Sequence, residues 1–175
     1  MGTVRLFVST PVASFRVSQA REYWETYPCP PPSTIYGMLL SLVGEEDLGL
    51  YAGTRIAISI IEEPRISVVL RSLGRIKARD VPQGQGKNVR PDFQELLTGI
   101  KLSVWVSDDE EAGKDNSLTK RLETAFEDPS SISRYGGLSL GESTHLIDEI
   151  RLWRPTDPKE GRMVVPDVEG DLSLP

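Results

Sequence analysis

Three stretches of this chain alternate apolar and other residues with a period of two. Val4, Leu6 and Val8 alternate with Arg5, Phe7 and Ser9. Ile56, Ile58 and Ile60 alternate with Ala57, Ser59 and Ile61, and Ile100, Leu102, Val104 and Val106 alternate with Lys101, Ser103 and Trp105. Period two sends successive side chains to opposite faces of a sheet, and β-branching at this density favours strand over helix. The chain must therefore build a sheet and cover at least one of its faces. A fourth strand is expected over His145–Trp153, with Leu146, Ile150 and Leu152 on one side, and Pro11 predicts an edge or a bend after the first.

Two helical patterns supply the cover. Tyr27-Pro28-Cys29-Pro30-Pro31-Pro32 reads as a rigid extended lead-in, because proline fixes φ and has no N–H. Ser33 then reads as an N-cap, Ile35, Met38, Leu39, Leu42 and Val43 recur at helical spacing, and Gly44 closes the helix. After an acidic turn at Asp108–Glu111, read as solvated, Leu118, Leu122, Ala125 and Phe126 mark a second helix, stopped by Asp128-Pro129. The order strand, helix, strand, strand, helix, strand predicts an α+β, ferredoxin-like (RRM-like) β-α-β-β-α-β core, with both helices on one face of an antiparallel sheet. It is expected to span 1–154 with an insertion at about 71–92, leaving 155–175 as a short acidic C-terminal tail.

Charge is unevenly placed. The 175 residues hold 20 Lys+Arg against 26 Asp+Glu, a net charge of −6, which argues against a uniformly basic nucleic-acid binder. Yet residues 71–90 contain Arg71, Arg75, Lys77, Arg79, Lys87 and Arg90 against Asp80 alone, a net +5. The first 21 residues add +3 from Arg5, Arg16 and Arg21, which leaves −14 on the rest. A surface loop is often charged, but a long single-sign excursion in an acidic chain reads as a polyanion-facing surface. Gln83-Gly84-Gln85-Gly86 is expected to turn the chain between two flexible arms.

Other constellations are sparser. One cysteine, Cys29, excludes an internal disulfide framework, and one histidine, His145, leaves no metal-ligand cluster; no cofactor is expected. The helix start at Ser33 offers backbone N–H groups to a phosphate, with Arg16 as a partner. The glycine-rich loop Tyr135–Gly141 would let a ribose-phosphate chain approach the backbone, but it has neither GxGxxG spacing nor a Walker lysine. On a strand His145 and Glu149 share a face, but no nucleophile elbow accompanies them, and a structural histidine is the better reading. No apolar run approaches the ~18 residues of a membrane span and no secretory signal is evident, so a cytoplasmic protein without membrane contact is expected.

Several motifs converge on one family. Pro11-Val12-Ala13-Ser14-Phe15-Arg16, then Thr26–Leu39 with its proline run, then Val43-Gly44, resemble the N-terminal half of the CRISPR-associated Cas5 family, RAMP-type subunits of type I Cascade complexes. Gly137–Asp148 is similar to that family's glycine-rich loop and last strand. The resemblance implies a basic β-hairpin thumb at 71–90. It also implies a non-catalytic subunit that grips the 5′ handle of the crRNA and caps the Cascade backbone subunits beside the large PAM-reading subunit, with target DNA near the PAM within reach. By the same resemblance Arg16, Ser33, Thr34, Tyr36, Arg134, Gly136 and Gly137 would lie near the handle. Arg71, Arg75, Lys77, Arg79, Lys87, Asn88 and Arg90 would reach RNA and the adjacent subunit. One branch of the family cleaves precursor RNA without metal, using a Tyr and a Lys-His pair; Tyr36 matches the former, but this sequence has no Lys-His pair. An RRM-like scaffold gripping protein instead of RNA is the third reading. The chain's shortness suits a minimal type I variant, I-B-like or transposon-associated.

Overall fold

The computed structural model describes residues 2–21, 23–111 and 116–165. Its elements are β1 (Thr3–Ala13), β2 (Tyr23–Trp24), α1 (Pro32–Leu42), β3 (Arg55–Glu62), β4 (Arg65–Gly74), β5 (Val89–Ser107), α2 (Leu118–Glu127), β6 (Glu149–Leu152) and β7 (Arg162–Val164). The main sheet runs β6-β1-β5-β3-β7 with antiparallel neighbours throughout. β4 pairs antiparallel with the first half of β5, and β2 lies parallel to it at Phe93–Gln94. Among the described residues the chain is thus a mixed α/β protein with two α-helices and a largely antiparallel sheet.

The period-two pattern sorts the two faces of that sheet. Val4, Leu6 and Val8 from β1 and Leu102, Val104 and Val106 from β5 join Ile35, Met38 and Leu39 of α1 and Leu118 and Leu122 of α2 in one buried cluster. Burying each Leu or Ile stabilises the fold by about 1.5–3 kcal/mol before chain entropy is counted. The opposite face is closed by stacked cations. The Arg5 guanidinium lies 4.3 Å from the Trp105 ring centre and 3.5 Å from that of Trp153, while Arg151 sits 4.3 Å over Phe7. Arg151 is held in turn by both carboxylate oxygens of Asp157, at 2.6 and 2.8 Å, which pushes its pKa above the ordinary arginine value.

Several expectations are corrected. α1 begins at Pro32 with Pro31 as its cap residue, so Ser33 lies inside the first turn and is not the N-cap. The proline run causes this: Pro31 and Pro32 already hold helix-compatible φ, and proline at the first helical position forfeits no hydrogen bond. The other end is as read. Gly44 has φ +69°, and a Cβ there would lie 2.3 Å from the Ser133 carbonyl oxygen, so only glycine fits.

Order returns at Val89, well before Ile100, because β5 pairs with β4 from Gly74↔Val89 to Arg65↔Thr98. The Asp108–Glu111 turn is not solvated at its two ends, since Asp108 and Glu111 are buried against the start of α2. Asp108 accepts from Thr119 Oγ1 and from the Gly2 N–H, both at 2.6 Å, and Glu111 accepts from the Leu118 N–H at 3.1 Å. Carboxylates suit the positive end of a helix, and these bonds hold the Asp108 carboxyl well below the usual carboxylate range. β6 begins only at Glu149, so His145 is not on a strand; the Ser139↔Leu146 bridge places it in a turn. Within the segment read as a tail, Arg162–Val164 adds an edge to β3, where Val164 packs on the core; residues 166–175 lie outside the described residues.

Candidate nucleic-acid interface

Residues 65–98 form one long hairpin of β4 and β5 whose tip is the basic loop 75–88. The tip is built around one side chain. Asn88 is 1% exposed; its Oδ1 accepts from the Lys77 and Ala78 N–H groups at 2.7 and 2.8 Å, and its Nδ2 donates to the carbonyls of Ala78 and Val81 at 2.8 and 2.5 Å. Asn88 is therefore spent on the loop's own backbone, although the resemblance placed it among the RNA contacts. The cations around it remain outside: Arg75, Lys77, Arg79 and Lys87 are exposed, with Arg75 Nε donating to the Lys87 carbonyl at 3.3 Å. Instead of two flexible arms, the basic excursion is a stapled loop on a paired stem.

Directly opposed residues share one face of the stem, which separates its two sides. One side carries Ile66, Val68, Leu70 and Phe93, all exposed, with the Tyr23 ring 6.5 Å from that of Phe93. The other carries Arg71 opposite Asp92, and Gln94 opposite Val69. Arg90 Nε donates to Asp92 at 2.6 Å. Arg71 donates to the Gln94 side-chain oxygen and, at 3.1 Å, to Glu142 of the turn after the glycine-rich loop. Trp24 lies alongside, with the Arg16 guanidinium 4.1 Å from its ring centre and that of Arg71 at 5.7 Å. Arg16 Nη2 also donates to the Ala20 carbonyl at 2.8 Å.

The expected site residues thus divide. Arg16 and Arg71 meet about Trp24, and the exposed cations cluster at the tip. Ser33 is exposed at the helix start, but the Thr34 and Ile35 N–H groups both bond the Pro31 carbonyl, so that helix end offers fewer donors than expected. Tyr36 turns to the 45–54 loop, its hydroxyl donating to the Leu48 carbonyl at 3.0 Å, and burial pushes its pKa up. Arg134 and Gly136 are exposed beside Tyr135, which is 92% exposed, and Gly137 lies against Leu146. Ser133 meets Gly44, which ties the approach to this loop to the far end of α1 from Ser33.

Trp24, Gln94 and Glu142 were not singled out in the sequence. A tryptophan three residues after Arg21 and eight after Arg16 was the available signal for Trp24. His145 belongs to this neighbourhood: burial lowers its pKa, Glu142 acts to raise it and Arg71 to lower it, and its Nδ1 has no hydrogen-bond partner. Cys29 is buried and burial pushes its thiol pKa up, as suits a packing residue. Among the described residues no group of three His, Cys, Asp or Glu side chains is placed to hold a metal, and no helix is long and apolar enough to cross a membrane.

Comparison with known proteins places this architecture. Residues 3–129 match the protein family described as CRISPR-associated protein (Cas_Cas5). Over 173 residues the chain is 43% identical to the CRISPR-associated protein Cas5 of Myxococcus xanthus (strain DK1622), covering 98% of this chain and 81% of that one. A chain of a CRISPR RNA-guided surveillance complex superposes with a TM-score of 0.59 at 17% identity, over 84% of this chain and 60% of its own length. A Cas protein crystal structure superposes with a TM-score of 0.50 at 17% identity, over 99% of this chain and 67% of that one. This chain thus spans 60% of the surveillance-complex chain it resembles. With most of its length matched to the family and to a close relative, the chain belongs to the CRISPR-associated Cas5 family.

Proposed function

We propose that this chain is a non-catalytic, cytoplasmic subunit of a type I CRISPR Cascade effector that grips the 5′ handle of the crRNA. In that role it caps the Cascade backbone subunits beside the large PAM-reading subunit, close to target DNA near the PAM. The observation that carries the reading is the thumb: a rigid paired stem that presents Arg75, Lys77, Arg79 and Lys87 to solvent around a buried Asn88. A fixed cluster of cations meets phosphates without first ordering a loop, so less conformational entropy is lost on binding. The exposed apolar side of the stem, from Ile66 to Leu70 with Phe93, suits the adjacent backbone subunit.

The core supports a ferredoxin-like reading. With β1, β3, β5 and β6 numbered one to four, the sheet order β6-β1-β5-β3 is 4-1-3-2, antiparallel throughout, and both helices share one core cluster. RRM-like domains stack bases on sheet-face aromatics, but here Phe7, Trp105 and Trp153 already stack on Arg5 and Arg151. RNA is therefore assigned to the thumb side. The processing-nuclease reading needs a proton acceptor and a donor beside one phosphate. Tyr36 instead bonds Leu48, while the charged neighbours of His145 are Glu142 and Arg71.

Co-expression with its neighbouring genes tests both points. The purified complex is expected to carry RNA, seen as a raised ratio of absorbance at 260 to 280 nm, and the isolated chain is expected to leave a repeat RNA intact in EDTA. A partner that survives RNase with no RNA in the preparation favours the scaffold reading. Site-specific cleavage lost in Tyr36→Phe or His145→Ala would overturn the non-catalytic assignment.

A further inference from the structure

Where the thumb stem meets the core, a carboxylate sits in a setting made for an oxyanion. Glu142 Oε2 accepts from Arg71 Nη1 at 3.1 Å, and Glu142 Oε1 accepts from Gln94 Nε2 at 2.5 Å. Gln94 is 1% exposed, and its side-chain oxygen is taken by Arg71, so its amide N–H is fixed toward Glu142. One guanidinium and one oriented amide N–H, presented to two oxygens on a single centre, are also what a phosphodiester would use. The ion pair is not sealed in the core, because the Arg71 and Glu142 side chains keep 38% and 28% of their exposure. A second guanidinium, Arg16, is nearby on the Trp24 ring it shares with Arg71. Glu142 itself rides on a tight turn, closed by the His145 N–H to the Glu142 carbonyl at 2.9 Å.

The pair is half-buried and keeps contact with water, where an ion pair adds about 0–1 kcal/mol, so opening it to admit another anion costs the fold little. We propose that Arg71 and Gln94 form a phosphodiester site, occupied in the free protein by Glu142 as an internal stand-in and vacated when the RNA backbone enters. The inference rests on the guide-RNA reading and adds a residue that competes with RNA for the same donors. The carboxylate keeps Arg71 extended across the stem, and it sets a threshold that only an anion able to displace it will pass.

The test measures binding of a fluorescently labelled RNA, matching the 5′ handle of the protein's own CRISPR repeat, across a salt series. Glu142→Gln keeps the side-chain shape and removes the charge. It is expected to tighten binding by about fivefold and to steepen the salt slope by roughly 0.7, as one more cation becomes available to phosphate. In an Arg71→Ala background the same substitution is expected to add nothing, because the contested cation is gone. An unchanged or weaker affinity for Glu142→Gln overturns the stand-in and leaves a structural clasp. An equal gain in both backgrounds also overturns it, since that reports only the general loss of a negative charge. Failure of the wild type to bind this RNA, alone and in its complex, would instead remove the guide-RNA reading and the site with it.

Discussion

The stem and the tip of the thumb carry the same kind of residue in opposite circumstances. On the stem, Arg71 and Arg90 are paired with Glu142, Gln94 and Asp92. At the tip, Arg75, Lys77, Arg79 and Lys87 face solvent, and what is buried there is a neutral amide, Asn88. Paired cations fix geometry and contribute little long-range field, whereas exposed ones attract a polyanion at a distance and are screened by salt. Orientation and attraction are thus divided between two ends of one hairpin.

The largest expected effect breaks that division at the tip. Replacing Arg75, Lys77 and Arg79 together by Ala should weaken handle-RNA binding about tenfold or more and flatten the salt slope by roughly 0.7 for each lost phosphate contact. An unchanged slope would move RNA off the tip. Asn88→Ala tests whether the tip's cations depend on their staple. It strands the Lys77 and Ala78 N–H groups and the Ala78 and Val81 carbonyls, a local cost of about 1–3 kcal/mol for each group left without water. Hydrogen exchange should then quicken in the tip while the β4–β5 stem stays protected.

Two smaller effects fall outside the thumb. Asp108→Ala strands the Thr119 hydroxyl and the Gly2 N–H and should cost about 1 kcal/mol at neutral pH, with a lower Tm and unchanged RNA affinity per folded molecule. The folded-state carboxyl is held below its ordinary pKa, so this contribution is present at neutral pH and is lost as pH falls below about 4. His145 acts in the same direction at higher pH. Burial lowers its pKa, so the unfolded chain takes up a proton first, and stability declines as pH drops through about 6.5. His145→Gln should remove that decline, read as a flatter stability profile between about pH 7 and 5 in denaturation curves.

The comparison also shows what the sequence could reveal. The tip was legible because its charge is contiguous, and β1, β3 and the second half of β5 were legible because one face of each is buried. The stem half of β5 was not, since Pro91, Asp92, Gln94 and Glu95 interrupt any apolar alternation. Its pairing with β4 becomes visible only through the register. The Arg71–Gln94–Glu142 contact joins three segments far apart in the chain, and no local pattern marks it. Ser33 misled for a local reason: a good capping residue was pre-empted by the two prolines before it. His145 misled because Leu146, Ile150 and Leu152 keep strand spacing through a turn.

β5 has a mechanical consequence. A single strand of 19 residues passes from the base of the tip, between β1 and β3, to the edge of Asp108 at the start of α2. At about 3.4 Å per residue it is a beam some 60 Å long. Its one glycine, Gly99, is left-handed at φ +74°, opposite Pro11 and between the stretch paired with β4 and the stretch paired with β3. The thumb is thus a cantilever clamped at its root. Its aim is set by the left-handed backbone at Gly99, and a load passed from the stapled tip into the stem is borne by the main sheet.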